Sequence, residues 1–126
     1  MQDVQIKRIS EIPAYEGEYA IPGIQFRYAA KSLGVSAWGM NVLEIGPHNE
    51  GCPEHDHVGD GQEEVYVILR GGGVILIDEK ERMPIEEGML VRVGPNTKRK
   101  LLPDARGMQV LAIGGTPGQA FKSMLG

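Results

Sequence analysis

The chain has 126 residues, enough for one domain with its own apolar core. Its 13 basic and 17 acidic side chains leave a net charge of −4, which argues against nucleic acid or an anionic membrane surface as a partner. No apolar run approaches the length of a membrane-spanning helix, the N-terminal MQDVQIKRIS lacks a signal-peptide core, and the single cysteine, Cys52, has no partner for an internal disulfide; a cytoplasmic protein is therefore expected.

Gly and Pro, at 18 and 8 residues, make up about a fifth of the chain, as in proteins of many short strands joined by tight turns. Residues 1–23, punctuated by Pro13, Gly17, Pro22 and Gly23, read as an arm or edge strand. IQFRYA (24–29) predicts a short strand and VSAWGMNVLEI (35–45) a longer one, with Gly39 as a candidate bulge. GPHNEGCPEHDHVGDGQ (46–62) is a loop rich in turn residues and acids. EEVYVIL (63–69), full of β-branched and aromatic residues, predicts the strongest strand; Gly71, Gly72 and Gly73 predict a turn, and VILID (74–78) its hairpin partner. Further strands are expected at 81–86, at 89–93 after Gly88, at 97–102 after the Gly94-Pro95-Asn96 turn, and at 107–113 after Pro103-Asp104. The tail GQAFKSMLG accommodates one helical turn. Short strands at this regular spacing predict an all-β sandwich or barrel, with less than about a tenth of the residues in α-helix. The expected organisation is an arm over 1–23, a barrel over 24–116 and a tail over 117–126.

The chemistry concentrates in the 46–62 loop. All three histidines, His48, His55 and His57, fall within ten residues. On an extended chain the i and i+2 side chains of His55 and His57 point to one face, as two ligands of one metal ion must. Glu64 opens the strongest strand, and Gln62, Glu64, Tyr66 and Ile68 share a face of it by parity. Five acids lie between 54 and 64, and their crowding beside histidines costs repulsion that a cation or solvent relieves. His-x-His alone is a weak signal, because a solvated loop of acids and histidines has the same composition. His48, beside Pro47 in a turn, reads as a surface residue, and Cys52 as a small buried apolar residue.

Taken together with the glycines downstream, the histidine spacing resembles a known pattern. His55-x-His57, then Glu64, six residues and Gly71 resemble the first cupin motif; Gly88, five residues and the Gly94-Pro95-Asn96 turn resemble a degraded second motif, in which the family usually has Pro-x-Gly. QEEVYVILRGGGVILIDEK also looks like the core of small single-domain bacterial cupins, and the resemblance spans about residues 35 to 115. It implies a double-stranded β-helix, a jelly-roll barrel of two antiparallel sheets. It also implies a divalent metal (Fe, Mn, Ni, Zn or Cu) held by His55, His57 and Glu64 or Gln62, and a small-molecule ligand, anionic in one reading, facing Arg99, Tyr66 and Met40. The N-terminal arm resembles the strands through which many cupins pair, so a homodimer is expected, with the arm covering a sheet edge.

Two departures from the motif shape the functional reading. Six residues separate His57 from Glu64, where three or four are usual, and the family's last metal-binding histidine falls on Arg99. The remaining ligands have the composition of a 2-His-1-carboxylate triad. An inward Arg99 either fixes an anionic substrate or, in a barrel without metal, pairs with Glu64 at about 2.7–2.9 Å; an outward Arg99 belongs to the solvated run Lys98-Arg99-Lys100. The implied functions are a metal-dependent dioxygenase or isomerase, a barrel that binds without turnover, or a structural module with a vestigial pocket.

Overall fold

A computed structural model of the chain describes residues 3–120. Among the described residues six strands carry the fold: β1 (Ile24–Arg27), β2 (Gly39–Ile45), β3 (Glu63–Ile77), β4 (Glu81–Glu86), β5 (Leu90–Val93) and β6 (Arg99–Gly115). All pairings are antiparallel, in the order β1-β2-β6-β3-β4, with β5 on the free edge of the first half of β3. β3 and β6 pair from Glu63 opposite Gly115 to Ile77 opposite Arg99, a ribbon that bends and packs its two halves against each other. The result is an all-β jelly-roll barrel. Because β3 and β6 run through both layers, hydrogen bonding joins the two expected sheets into one six-stranded sheet.

The sequence predicts four strands where these two long ones stand, with the three glycines as a hairpin turn and Pro103-Asp104 as another. Both segments instead continue through bulges, with register shifts between Ile68 and Arg70 and between Gly71 and Gly73. The glycines are needed for backbone approach. Gly71 has φ +77°, and a Cβ there would collide with the carbonyl oxygen of Gly107; one at Gly73 would collide with that of Leu102. The bulges also exchange the inward parity. Glu64, Tyr66 and Ile68 face the interior in the first half of β3, whereas Ile75 and Ile77 face it in the second. One strand thereby lines both layers.

The interior is filled by Ile45, Ile68, Ile75, Ile85, Leu101, Met108 and Val110, all buried. Each large aliphatic side chain so placed contributes about 1.5–3 kcal/mol through removal from water. A five-residue helix, α1 (Ala29–Leu33), occupies the end of the strand expected at 24–29, and the next strand starts at Gly39 rather than 35. Ala29 and Ala30 are buried there, and Gly34, at φ +77°, closes the helix with its N–H on the carbonyls of Ala30 and Lys31. Gly39 is no bulge; it pairs in register with Gly114.

The N-terminal arm docks on its own barrel. Ile12 is buried with Ala29 and Val42, beside Ile9, Met40 and Leu111. Ala14 bridges Arg27, and the Tyr15 N–H donates to the Phe26 carbonyl at 2.8 Å, so this stretch covers the edge of β1. The helical turn expected at the tail lies largely outside the described residues.

Candidate metal centre

The histidine loop is latched to the start of β6. The His55 N–H donates to the Arg99 carbonyl at 3.1 Å, the Arg99 N–H returns to the His55 carbonyl at 2.9 Å, and the His57 N–H donates to the Pro95 carbonyl at 2.9 Å. Residues opposite in such a bridge share a face, which turns Arg99 inward beside the histidines. The Gly61 N–H closes a turn onto the His57 carbonyl at 2.7 Å, and Gly61 takes the left-handed conformation, φ +70°, that this turn needs. The insertion of Gly59, Asp60 and Gly61 is thus absorbed, and Glu64 still meets both imidazoles.

Nε2 of His55 lies 3.3 Å and Nε2 of His57 3.2 Å from the same Oε1 of Glu64. The rings are 5.1 Å apart between centroids and nearly perpendicular, at 88°. The candidate ligand atoms of the three residues all lie within 4.8 Å of one another. Two ligands about 2.1 Å from one ion stand about 3–3.5 Å apart, which the two nitrogen–oxygen separations match.

The outer hydrogen bonds test whether a cation fits. His57 Nδ1 faces the Asp60 carboxylate, 3.0 Å from Oδ1, and His55 Nδ1 faces the Pro53 carbonyl at 3.2 Å. Both partners are acceptors, so each Nδ1 carries a proton, and each Nε2 then either carries a second proton and donates to Glu64 or presents it a lone pair. Lone pairs facing a carboxylate repel unless a proton or a cation stands between them. Nε2 of His57 is buried with no hydrogen-bond partner. The bond to Glu64 holds the pKa of His55 above its ordinary value, against its burial. Burial pushes the Glu64 carboxyl up, but the hydrogen bonds from His55 and Tyr66 and the nearby histidines outweigh it and leave the pKa below the usual range. The donor set, two imidazoles and one carboxylate with fixed tautomers, suits a divalent ion.

The structure separates the other residues singled out in the sequence. Tyr66 is buried, and its hydroxyl donates to Glu64 Oε1 at 2.8 Å, so it orients the carboxylate; burial raises its own pKa. Gln62 lines the cavity, but its amide nitrogen donates to Asp60 Oδ2 at 3.1 Å. Arg99 is inward and only 1% exposed. Its terminal nitrogens donate to backbone carbonyls, at 3.0 Å to Gly94 and 3.4 Å to Val93 and His55. Its Nε stands 3.9 Å from Glu64 Oε1, a long ion pair without the close hydrogen bond expected of a metal-free barrel. Met40 lines the cavity and also packs with Ile12, Ala29 and Val42; Leu43 of β2, in register with Phe26, lines it too. His48 is exposed. Cys52 is buried, and burial pushes its thiol up to about 11. Sequence reasoning missed Asp60, which reads as a turn acid. Its spacing of three residues after His57 is the signal that finds it.

These residues open onto a cavity of about 620 Å³. Gly114, opposite Glu64 on β6, keeps it clear: a Cβ there would stand 3.0 Å from Gln62 Oε1 and 3.3 Å from Glu64 Cγ.

No known protein-family profile and no curated protein matches the chain. Solved structures do. A cupin protein from Bacteroides fragilis matches with a TM-score of 0.66 at 23% identity, over 99% of this chain and 94% of its own. A sugar phosphate isomerase of the cupin superfamily from Silicibacter pomeroyi matches at 0.73 and 18%, over 90% and 77%. A predicted oxalate decarboxylase from Thermotoga maritima matches at 0.69 and 19%, over 87% and 97%. At these identities the likeness establishes the fold, which is that of a small cupin domain.

Proposed function

We propose that this chain is a metal-binding single-domain cupin in which His55, His57 and Glu64 hold one divalent ion and the adjoining cavity receives a small molecule. The observation that carries the reading is the buried Nε2 of His57, which has no hydrogen-bond partner yet faces Glu64 Oε1 beside Nε2 of His55. A divalent ion there supplies Lewis-acid polarisation of a ligand oxygen and, if it is iron, the redox centre of an oxygenase. The chain's own residues do the positioning. Asp60 and the Pro53 carbonyl fix the two imidazole tautomers, and Tyr66 fixes the carboxylate. Elemental analysis of protein purified without chelator or affinity metal, followed by calorimetric titration with Fe(II), Mn(II) and Zn(II), tests the reading. One ion per chain is the expected result, and no uptake of any of the three overturns it.

A homodimer is part of the same proposal. Val4 and Ile6 remain exposed on the arm, 64% and 89%, apolar surface that a second chain would cover. A monomeric mass by light scattering at micromolar concentration overturns it.

A further inference from the structure

The cavity has two kinds of wall. Phe26, Tyr28, Val35, Leu43, Leu101 and Ala112 present apolar surface. The charged groups at or beside it are Glu64, Asp60, Arg99, Lys31 and Lys100. Glu64 and Asp60 are both committed, the first to the imidazoles and Tyr66, the second to His57 and Gln62. A divalent ion at His55, His57 and Glu64 therefore leaves the site net positive, with Arg99 buried as an additional cation. In a low-dielectric interior that imbalance favours an anionic ligand. Three of the five N–H groups of Arg99 are spent on carbonyls 55, 93 and 94, and its buried Nε has no hydrogen-bond partner, so it contributes charge at the site. Three protein ligands leave adjacent coordination positions open. The in-register pair Gly39 and Gly114 carries no side chains, and Gly114 keeps the space beside Glu64 free.

We propose that the ligand of this site is an organic monoanion with an apolar body and two vicinal oxygen donors, one of them a carboxylate: the class of aryl or branched-alkyl 2-oxo acids. The oxygens face the ion and the body lies against the Phe26–Leu43–Leu101 wall. The proposal rests on the metal reading above, so its test begins by separating the two. The full chain is titrated with Co(II) by calorimetry. The loaded protein is then titrated with phenylpyruvate, pyruvate, neutral 1-phenyl-1,2-propanedione and glucose 6-phosphate, while the visible spectrum of the cobalt is followed.

Burying a phenyl ring is worth more than about tenfold in affinity. Phenylpyruvate is therefore expected to bind at least about tenfold more tightly than pyruvate, which lacks the body, and than the dione, which lacks the charge, and to change the cobalt spectrum. Its binding is expected to be lost in metal-free protein. No Co(II) uptake overturns the metal reading and this proposal together. Uptake followed by a flat phenylpyruvate titration, by pyruvate or the dione binding within about tenfold of phenylpyruvate, or by tighter binding of glucose 6-phosphate overturns this proposal alone.

Discussion

The same two strands build both halves of the barrel, and the halves are made differently. In the second half of β3 and the first half of β6, Ile75 and Leu101 face each other across the ladder and pack with Ile85 in a close apolar core. In the other half, β3 and β6 present Glu64, Tyr66 and Gly114 to a cavity, with two histidines and a buried arginine around it. The first arrangement is what burial alone favours. The second is costly, because a buried guanidinium and an unpartnered imidazole nitrogen lower stability unless something else offsets them. The acidic and histidine chemistry thus sits in one half, with Arg99 and Leu101 reaching its cavity from the start of β6, while the apolar core continues through both halves by way of Ile68 and Val110, with the bulged glycines at the boundary.

The largest expected effect comes from breaking that boundary. Gly71→Ala forces a left-handed backbone on alanine and drives a Cβ into the Gly107 carbonyl. It should destabilise the fold by about 3–5 kcal/mol in urea unfolding, combining backbone and overpacking costs. His57→Ala acts on the open half alone. Metal affinity should fall by more than about a hundredfold, the upper range for losing only an outer partner, while metal-free stability changes by about 1 kcal/mol or less; a loss comparable with that of Gly71→Ala would mean the two halves are not separable. Asp60→Ala releases His57 Nδ1 and should weaken metal binding by about ten- to a hundredfold in the same titration. The smallest perturbation is chemical. With its thiol pushed up to about 11 by burial, Cys52 should react with Ellman's reagent at pH 8 far more slowly in native than in urea-unfolded protein. Equal rates would show that this part of the core is open to solvent.

The two halves also differ in how well the sequence announces them. Alternation and turn residues locate β3, β4, β5 and the cluster of His55, His57 and Glu64, because parity in a strand and His-x-His spacing are local properties. The continuity of β3 through Gly71, Gly72 and Gly73 is not legible. Three glycines signal a turn when only neighbours are considered, and their actual cause is the approach of Gly107 and Leu102 from distant parts of the chain. The helix at Ala29–Leu33 is hidden for a related reason, since five residues show no periodicity and its alanines are buried, Ala29 against the arm. Motif position places Arg99 inward, but its partners are backbone carbonyls that no sequence pattern marks.

The latch between His55 and Arg99 has a kinetic consequence. The ribbon is held by a ladder thirteen residue pairs long, whereas the stretch around His55 and His57 is held by one bridge to Arg99, the bond from His57 to Pro95 in the turn before β6, and the bond from the Thr116 hydroxyl to the Asp60 carbonyl. Opening this stretch therefore breaks a handful of hydrogen bonds, three of them between backbone groups, and leaves the ribbon's ladder intact, so it occurs far more often than global unfolding. The amides of His55, His57 and Arg99 become clocks for the centre: their exchange with solvent deuterium follows loop opening, and a bound ion, by tying both histidines to Glu64 on the ribbon, slows it toward the rate of the barrel itself.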